Sequence, residues 1–248
     1  MRLIGVLGGT SWPSTILPYR ILNEEVARRQ GGTHSARIAL YSIDYHAIRS
    51  CYSRDPAEIP ALLRVEITRL LSFRPDCWMI ANNTLHKYLE PWREELPATP
   101  PLFHAIDLVR EHLVARGSPR TLLLGTRFTM EDGYYRDPLV KAGIEIVIPD
   151  EADRARIGEI QMELAEGNTD PAFAAWFAAL LARHAGQGCH AVVLGCTELP
   201  LAITAAPPGM DLVDPLVLQC RACVDFALAD FAVADFAVAD FAGADEAP

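Results

Sequence analysis

The chain has 248 residues, half of them hydrophobic, a formal net charge of -10 and six cysteines. That is enough material for one large domain or two of ordinary size. The acidic balance argues against a nucleic-acid backbone as partner, which would call for clustered Lys and Arg. Cysteines scattered through a chain of this length are unlike a secreted disulfide framework. The first ten residues carry no basic leader and no apolar run is long enough to span a bilayer. A cytoplasmic protein is the expectation.

In chain order, residues 3–7 (Leu-Ile-Gly-Val-Leu) form a buried-strand pattern that runs into Gly8-Gly9-Thr10-Ser11. The glycines allow a tight turn, and the hydroxyls can cap a following helix whose N–H groups suit an anion. The loop lacks both the Gly-x-Gly-x-x-Gly and the Gly-Lys-Ser/Thr patterns, so it is not read as a nucleotide site. A helix is predicted through residues 19–26, closing near Gly31-Gly32. Residues 37–44 read as the second strand, leading into a loop with Tyr45, His46 and Arg49. Residues 56–72 form an amphipathic helix. A third buried run, 77–80, ends in Ala81-Asn82-Asn83-Thr84, and a helix is predicted over 86–92.

Pro97, Pro100 and Pro101 mark a crossing, after which residues 102–106 start a second half. Further strands are expected at 120–126 and 145–149, with helices over 157–164 and 172–185. The apolar run Ala191-Val192-Val193-Leu194 reads as a strand buried on both faces, and it delivers Gly195-Cys196-Thr197-Glu198 at its tip. Residues 211–215 are expected to return to the first sheet, with a last helix from Pro215. From Asp225 an Asp-Phe-Ala-x-Ala unit repeats four times. That period fits neither a helix face nor a strand, and it reads as a low-complexity helical extension fraying to a disordered end, to which no function is assigned. The alternating strands and helices predict an α/β fold with parallel sheets flanked by helices, in two related halves.

Ligands of open α/β sheets bind beyond the carboxyl ends of the strands, which is where Cys196 stands. A thiol titrating near roughly 8.5, lowered at helix N-termini, can act as acid or base near neutrality. A buried structural cysteine is the alternative. Thr197 can donate to a carboxylate. Glu198 could orient neighbours or a substrate ammonium, or serve only as a first-turn acid. At the matching tip, Asn82, Asn83 and Thr84 offer amides and hydroxyls but no titratable group, and turn chemistry would also account for them. His86 reads as a packing or capping residue. Cys220 and Cys223 form a lone Cys-x-x-Cys inside a predicted helix, and His184 and His190 lack ligand spacing, so no metal is expected. No Gly-x-Ser-x-Gly elbow is present.

Taken together, four stretches resemble the aspartate/glutamate/hydantoin racemase superfamily, most closely its L-aspartate/glutamate-specific amino-acid racemase branch. They are residues 4–12, Asn83-Thr84-Leu85-His86-Lys87, residues 124–130 and Gly195-Cys196-Thr197-Glu198. The resemblance implies two Rossmann-like domains, pseudo-two-fold related, with the active site in the cleft between them. The expected division is 1–98 plus 209–230, then 99–208, with a 231–248 tail. The resemblance also implies racemisation without pyridoxal phosphate, other cofactor or metal, in a homodimer. Most of the superfamily uses two cysteines on opposite faces of the substrate. Cys196 matches the second, and Asn82 occupies the place of the first, as a non-titratable residue does in the L-specific branch. Gly9, Thr10, Ser11, Asn83, Thr84, Thr126, Thr197 and Glu198 match substrate-binding positions. Arg49 and Arg156 stand near positions where related aspartate racemases place basic residues for the distal carboxylate. The expected activity is interconversion of L-aspartate, L-glutamate or a relative. The alternatives are a single-cysteine decarboxylase or isomerase of the same superfamily, and a non-catalytic protein that binds an acidic metabolite.

Overall fold

The computed structural model describes residues 1–229. The 231–248 tail and most of its repeats lie outside the described residues. The first half contains β1 (Ile4–Gly8), α1 (Trp12–Gln30), β2 (Ile38–Ser42), α2 (His46–Arg54), α3 (Ile59–Ser72), β3 (Cys77–Ile80) and α4 (Leu85–Leu89). Its strands form a parallel sheet in the order β2-β1-β3, with Ile4 opposite both Ile38 and Cys77. The second half contains α5 (Ala105–Arg116), β4 (Arg120–Gly125), α6 (Arg127–Glu131), α7 (Gly133–Lys141), β5 (Glu145–Val147), α8 (Glu151–Ala165), α9 (Pro171–Gly186), β6 (Ala191–Gly195), β7 (Asp211–Val213) and α10 (Pro215–Leu228). Its parallel sheet runs β5-β4-β6-β7. Each sheet thus places its first strand between its second and third. That repeated order is the likeness between halves that the strand tips announced.

Side chains alternate across a strand, so a strand covered on both faces must be apolar throughout. In β4 and β6, Leu122, Leu124, Val192 and Leu194 pack with Ile157, Ile160 and Phe177 on one face. Leu123 and Val193 pack with Val109, Leu113, Tyr135 and Leu139 on the other. In the first sheet, Leu7 and Trp78 face Ile59, Leu63 and Leu85, while Ile4, Val6 and Met79 face Leu22, Val26 and Cys220. Each fully buried aliphatic side chain stabilises the fold by about 1.5–3 kcal/mol relative to exposure.

Four expectations change, the first being the loop expected to carry Tyr45, His46 and Arg49: His46 and Arg49 stand in α2, and Tyr45 is its N-cap. Residues 211–213 do not return to the first sheet: β7 pairs with β6, Val213 beside Val193, and the Asp211 N–H donates to His190 O at 2.8 Å. Val213 belongs to the core of the second sheet, and that burial decides its partner. The return is made by α10, whose Leu216, Cys220 and Cys223 cover the first sheet. There Gln219 Nε2 donates to Ile80 O (3.3 Å) and Phe103 O (2.9 Å). Residues 101–103, expected to open the second half, extend the first: Trp78 N–H donates to Pro101 O, and Phe103 N–H to Trp78 O. Finally, α8 starts at Glu151 rather than 157, because the Asp150 carboxylate caps it by accepting from Asp153 N–H at 2.9 Å. Among the described residues no helix is long and apolar enough to cross a membrane.

Candidate active site

The tips of β1, β2 and β3 face the tips of β4 and β6 across one cavity of ≈ 690 Å³. Gly9, Thr10, Ser11, Arg49, Asn82, Asn83 and Thr84 line its first wall, and Thr126, Cys196, Thr197 and Glu198 line its second. All the expected site residues but one are therefore brought together. Two glycines set the walls. Gly9 has φ 91°, and a Cβ there would lie 2.3 Å from Ile43 O, so no other residue fits the turn. A Cβ on Gly195 would meet Thr129 Cγ2 at 2.5 Å and Leu124 O at 2.8 Å. That close approach lets Thr129 Oγ1 donate to Gly195 O at 3.2 Å and fixes the tip that presents Cys196.

Cys196 is 8% exposed, and its thiol donates to Glu198 Oε2 at 2.9 Å. Thr197 Oγ1 lies 3.2 Å from the same carboxylate oxygen and 3.3 Å from Ser14 Oγ of the first wall. The thiol was expected to be eased toward ionisation by a helix N-terminus. Burial does the opposite and pushes it well up, and the Glu198 charge and hydrogen bond push further. The helix that follows is a single 3-10 turn, Leu199–Leu201, too short to offset either effect. The Cys196 thiol thus keeps its proton and hydrogen-bonds with it to the Glu198 side chain.

Asn82 is engaged as structure: its Nδ2 donates to Thr10 Oγ1 at 3.1 Å, and its Oδ1 accepts the Leu85 N–H at 2.8 Å. Ser11 Oγ and Asn83 Oδ1 line the cavity, are buried and have no protein partner. A buried polar atom without a partner costs about 1–3 kcal/mol, which a ligand group meeting either atom would relieve. Thr84 Oγ1 lies 3.4 Å from Thr126 Oγ1 across the cleft, closing its floor. His86 has no place in the cavity; it is fully buried, packed edge-on to His104 at 4.1 Å, and burial holds it well below the ordinary imidazole range.

Arg156 is the residue not brought in. It lies on the face of α8 away from Gly158, Gln161, Met162 and Ala165, which line the cavity, and it pairs with Glu159 at 2.8 Å. An error of several residues in the start of α8 does not change the period, but position 156 is half a turn from that lining face. Arg49 and Arg127 are the arginines that line the cavity, and among the described residues neither is ion-paired. Arg127 and Phe128 stand in a stretch that carries the family resemblance but had no site role from the sequence, and Tyr52 was not singled out. Tyr45 and Tyr52 are seven residues apart at the start and end of α2, a helical spacing that would have placed both on one face. Their hydroxyls are 2.5 Å apart, and the Tyr52 ring stacks on Phe128 of the second half at 5.5 Å. Among the described residues no cluster of three or more His, Cys, Asp or Glu is arranged to hold a metal.

Comparison with known proteins bears on the fold and the family. A structure from Yersinia pestis named as a candidate Asp/Glu racemase is 33% identical, covering 92% of this chain and 100% of that one, with a TM-score of 0.80. An aspartate racemase homologue from Pyrococcus horikoshii OT3 is 28% identical, covering 92% and 99%, with a TM-score of 0.76. The glutamate racemase from Thermus thermophilus, 22% identical and covering 93% and 82% with a TM-score of 0.62, shares the fold. An uncharacterized protein from Pectobacterium carotovorum subsp. carotovorum, from the pnlA 3′ region, is 29% identical over 98 residues. That match spans 40% of this chain and 65% of the length of that curated relative. The Asp/Glu/Hydantoin racemase family model matches residues 7–223, and the chain belongs to that family.

Proposed function

We propose that the protein is a cofactor-independent racemase of L-aspartate, L-glutamate or a close relative, with Cys196 as its thiol acid/base. The observation that carries this reading is the thiol–carboxylate pair of Cys196 and Glu198 facing two unpartnered buried polar atoms on the opposite wall. Ser11 Oγ would donate to the α-carboxylate, and Asn83 Oδ1 would accept from the α-ammonium. The Cα–H bond would then lie between the walls. Arg49 supplies a cation for the distal carboxylate. Asn82, already committed to Thr10 and Leu85, contributes position and no proton. The protein would work in the cytoplasm as a homodimer. The exposed Trp12, Ile16 and Tyr19 along one face of α1 supply apolar surface for a second copy, and sedimentation velocity tests it.

The enantiomers have equal free energy, so kcat/KM must match in the two directions. The asymmetry of a one-thiol site shows instead in α-hydrogen exchange without inversion. In D₂O, the enantiomer whose α-hydrogen faces Cys196 should exchange faster than it inverts. Equal exchange of L- and D-glutamate would rule out a one-sided site. Cys196→Ser should lower turnover by at least about 10²-fold while ligand binding is kept. Release of CO₂ from a malonate without racemisation would instead identify a decarboxylase, and binding without turnover a binding protein.

A further inference from the structure

Inversion at Cα needs a proton delivered to the face opposite the one that lost it, and Cys196 serves only the second wall. On the first wall the tips of β1 and β3 offer alcohols (Thr10, Ser11) and amides (Asn82, Asn83), none of which gives up a proton readily. The tip of β2 is different. It carries Tyr45, whose ring is partly buried and whose hydroxyl is held 2.5 Å from the Tyr52 hydroxyl. Its neighbours Asp44 and His46 are exposed at the rim, and Asp44 Oδ1 is engaged by the His46 N–H. Tyr52 is itself fixed, stacked on Phe128 at 5.5 Å and tilted against Tyr88 at 5.7 Å. Both tyrosines line the same cavity as Cys196.

The charges agree with this placement. Burial pushes the Tyr45 phenol up to about 12, against the pull of the Tyr52 hydrogen bond and the Arg49 charge. Charges on Tyr88 and Cys196 add to the rise. At neutral pH the phenol keeps its proton and stands as an acid.

We propose that Tyr45 is the second proton-bearing catalytic residue, delivering its hydroxyl proton to Cα from the wall opposite Cys196, with Tyr52 positioning that hydroxyl. The proposal rests on the racemase reading above. In the step, Cys196 passes its thiol proton to Glu198, and the thiolate takes the α-proton. The electron pair of the broken C–H bond stays on Cα and spreads into the α-carboxylate. The Tyr45 O–H proton then forms the new C–H bond on the opposite face. Its electron pair stays on the phenolate oxygen, which accepts a hydrogen bond from Tyr52. Water in the open cleft carries one proton from the Cys196–Glu198 pair back to Tyr45, and the site is restored.

The test uses the full chain in D₂O with the dicarboxylic amino acid it turns over best, following retention exchange by NMR and inversion by chiral chromatography. In Tyr45→Phe, inversion should fall at least about 100-fold while exchange with retention at the Cys196 face stays within a few-fold of wild type. In Tyr52→Phe the phenol at 45 remains, so kcat for inversion should fall about 10-fold with KM unchanged. Wild-type inversion in Tyr45→Phe overturns the proposal. So does equal loss of inversion and exchange, which would make the ring a packing element. A wild-type protein that neither exchanges nor inverts overturns the racemase reading itself, and Tyr45's role with it.

Discussion

Glu198 decides what Cys196 can do. The carboxylate raises the thiol's affinity for its proton, as burial does more strongly, and in the mechanism proposed above it is also the acceptor of that proton. Glu198→Gln separates the two effects. With the charge gone, the thiol should ionise at lower pH than in wild type, although burial still holds it above the ordinary range. Turnover should fall about 10–100-fold because the acceptor is lost. Thiolate ultraviolet absorbance against pH reads the first effect and initial rates the second; a titration that moves upward would contradict the pairing. At this scale the sequence was informative about position and silent about direction. Cys196 and Asn82 could be placed because each ends an apolar run. That Glu198 turns its carboxylate to the thiol, or that Arg156 turns away to Glu159, depends on rotamers and helix phase that no pattern records.

Helix caps carry electrostatics that the elements themselves do not reveal. Asp214 caps α10, accepting the Leu216 N–H at 2.9 Å, where the chain leaves the second sheet for the first. Desolvation raises its carboxyl from 3.8 to about 6, against the lowering by the Leu216 and Val217 N–H groups. A folded-state value above the unfolded one means that the stabilising contribution is full below about pH 4 and is lost as pH rises through about 6. Asp214→Asn keeps an acceptor for Leu216 and removes the charge. It should unfold at higher urea than wild type at neutral pH, by about 1–3 kcal/mol, with the difference vanishing near pH 4. A gap that does not close on acidification would assign the effect to packing. The buried strands were largely legible, because parallel strands covered on both faces are continuous apolar runs, whereas α2, α5, α6 and α7 were not read from the sequence. What could not be read was the partner of a three-residue strand: Asp211–Val213 is too short to carry a pattern, and its place beside β6 is set by the core it completes.

Besides the packing of α10 on the first sheet, the two halves meet where their strand tips meet, and that edge is the cavity. Thr84 reaches Thr126, Tyr52 stacks on Phe128, Thr197 reaches Ser14, and Lys87 Nζ sits 2.6 Å from Asp132 Oδ2 and 4.8 Å from the Phe128 ring centre. The tips were predictable one by one, whereas these crossings depend on how two sheets are set against each other, so the aromatic wall was not foreseen. Lys87 tests whether the crossings hold the cleft closed. Its ion pair is about one third exposed on both sides and is worth about 0–1 kcal/mol. The cation over Phe128 adds about 0.5–1 kcal/mol. Lys87→Met keeps the length of the stem and removes both attractions. If the closed state is the one that binds substrate, losing about 0.5–2 kcal/mol of closure raises KM about 2–30-fold, with the chemistry inside the cleft unchanged. Salt should then mimic the substitution, since screening weakens the ion pair of wild type and leaves the variant indifferent. A melting temperature that falls while KM stays constant would make the pair a structural strut. A KM that rises with salt in wild type alone would make it the latch of the site.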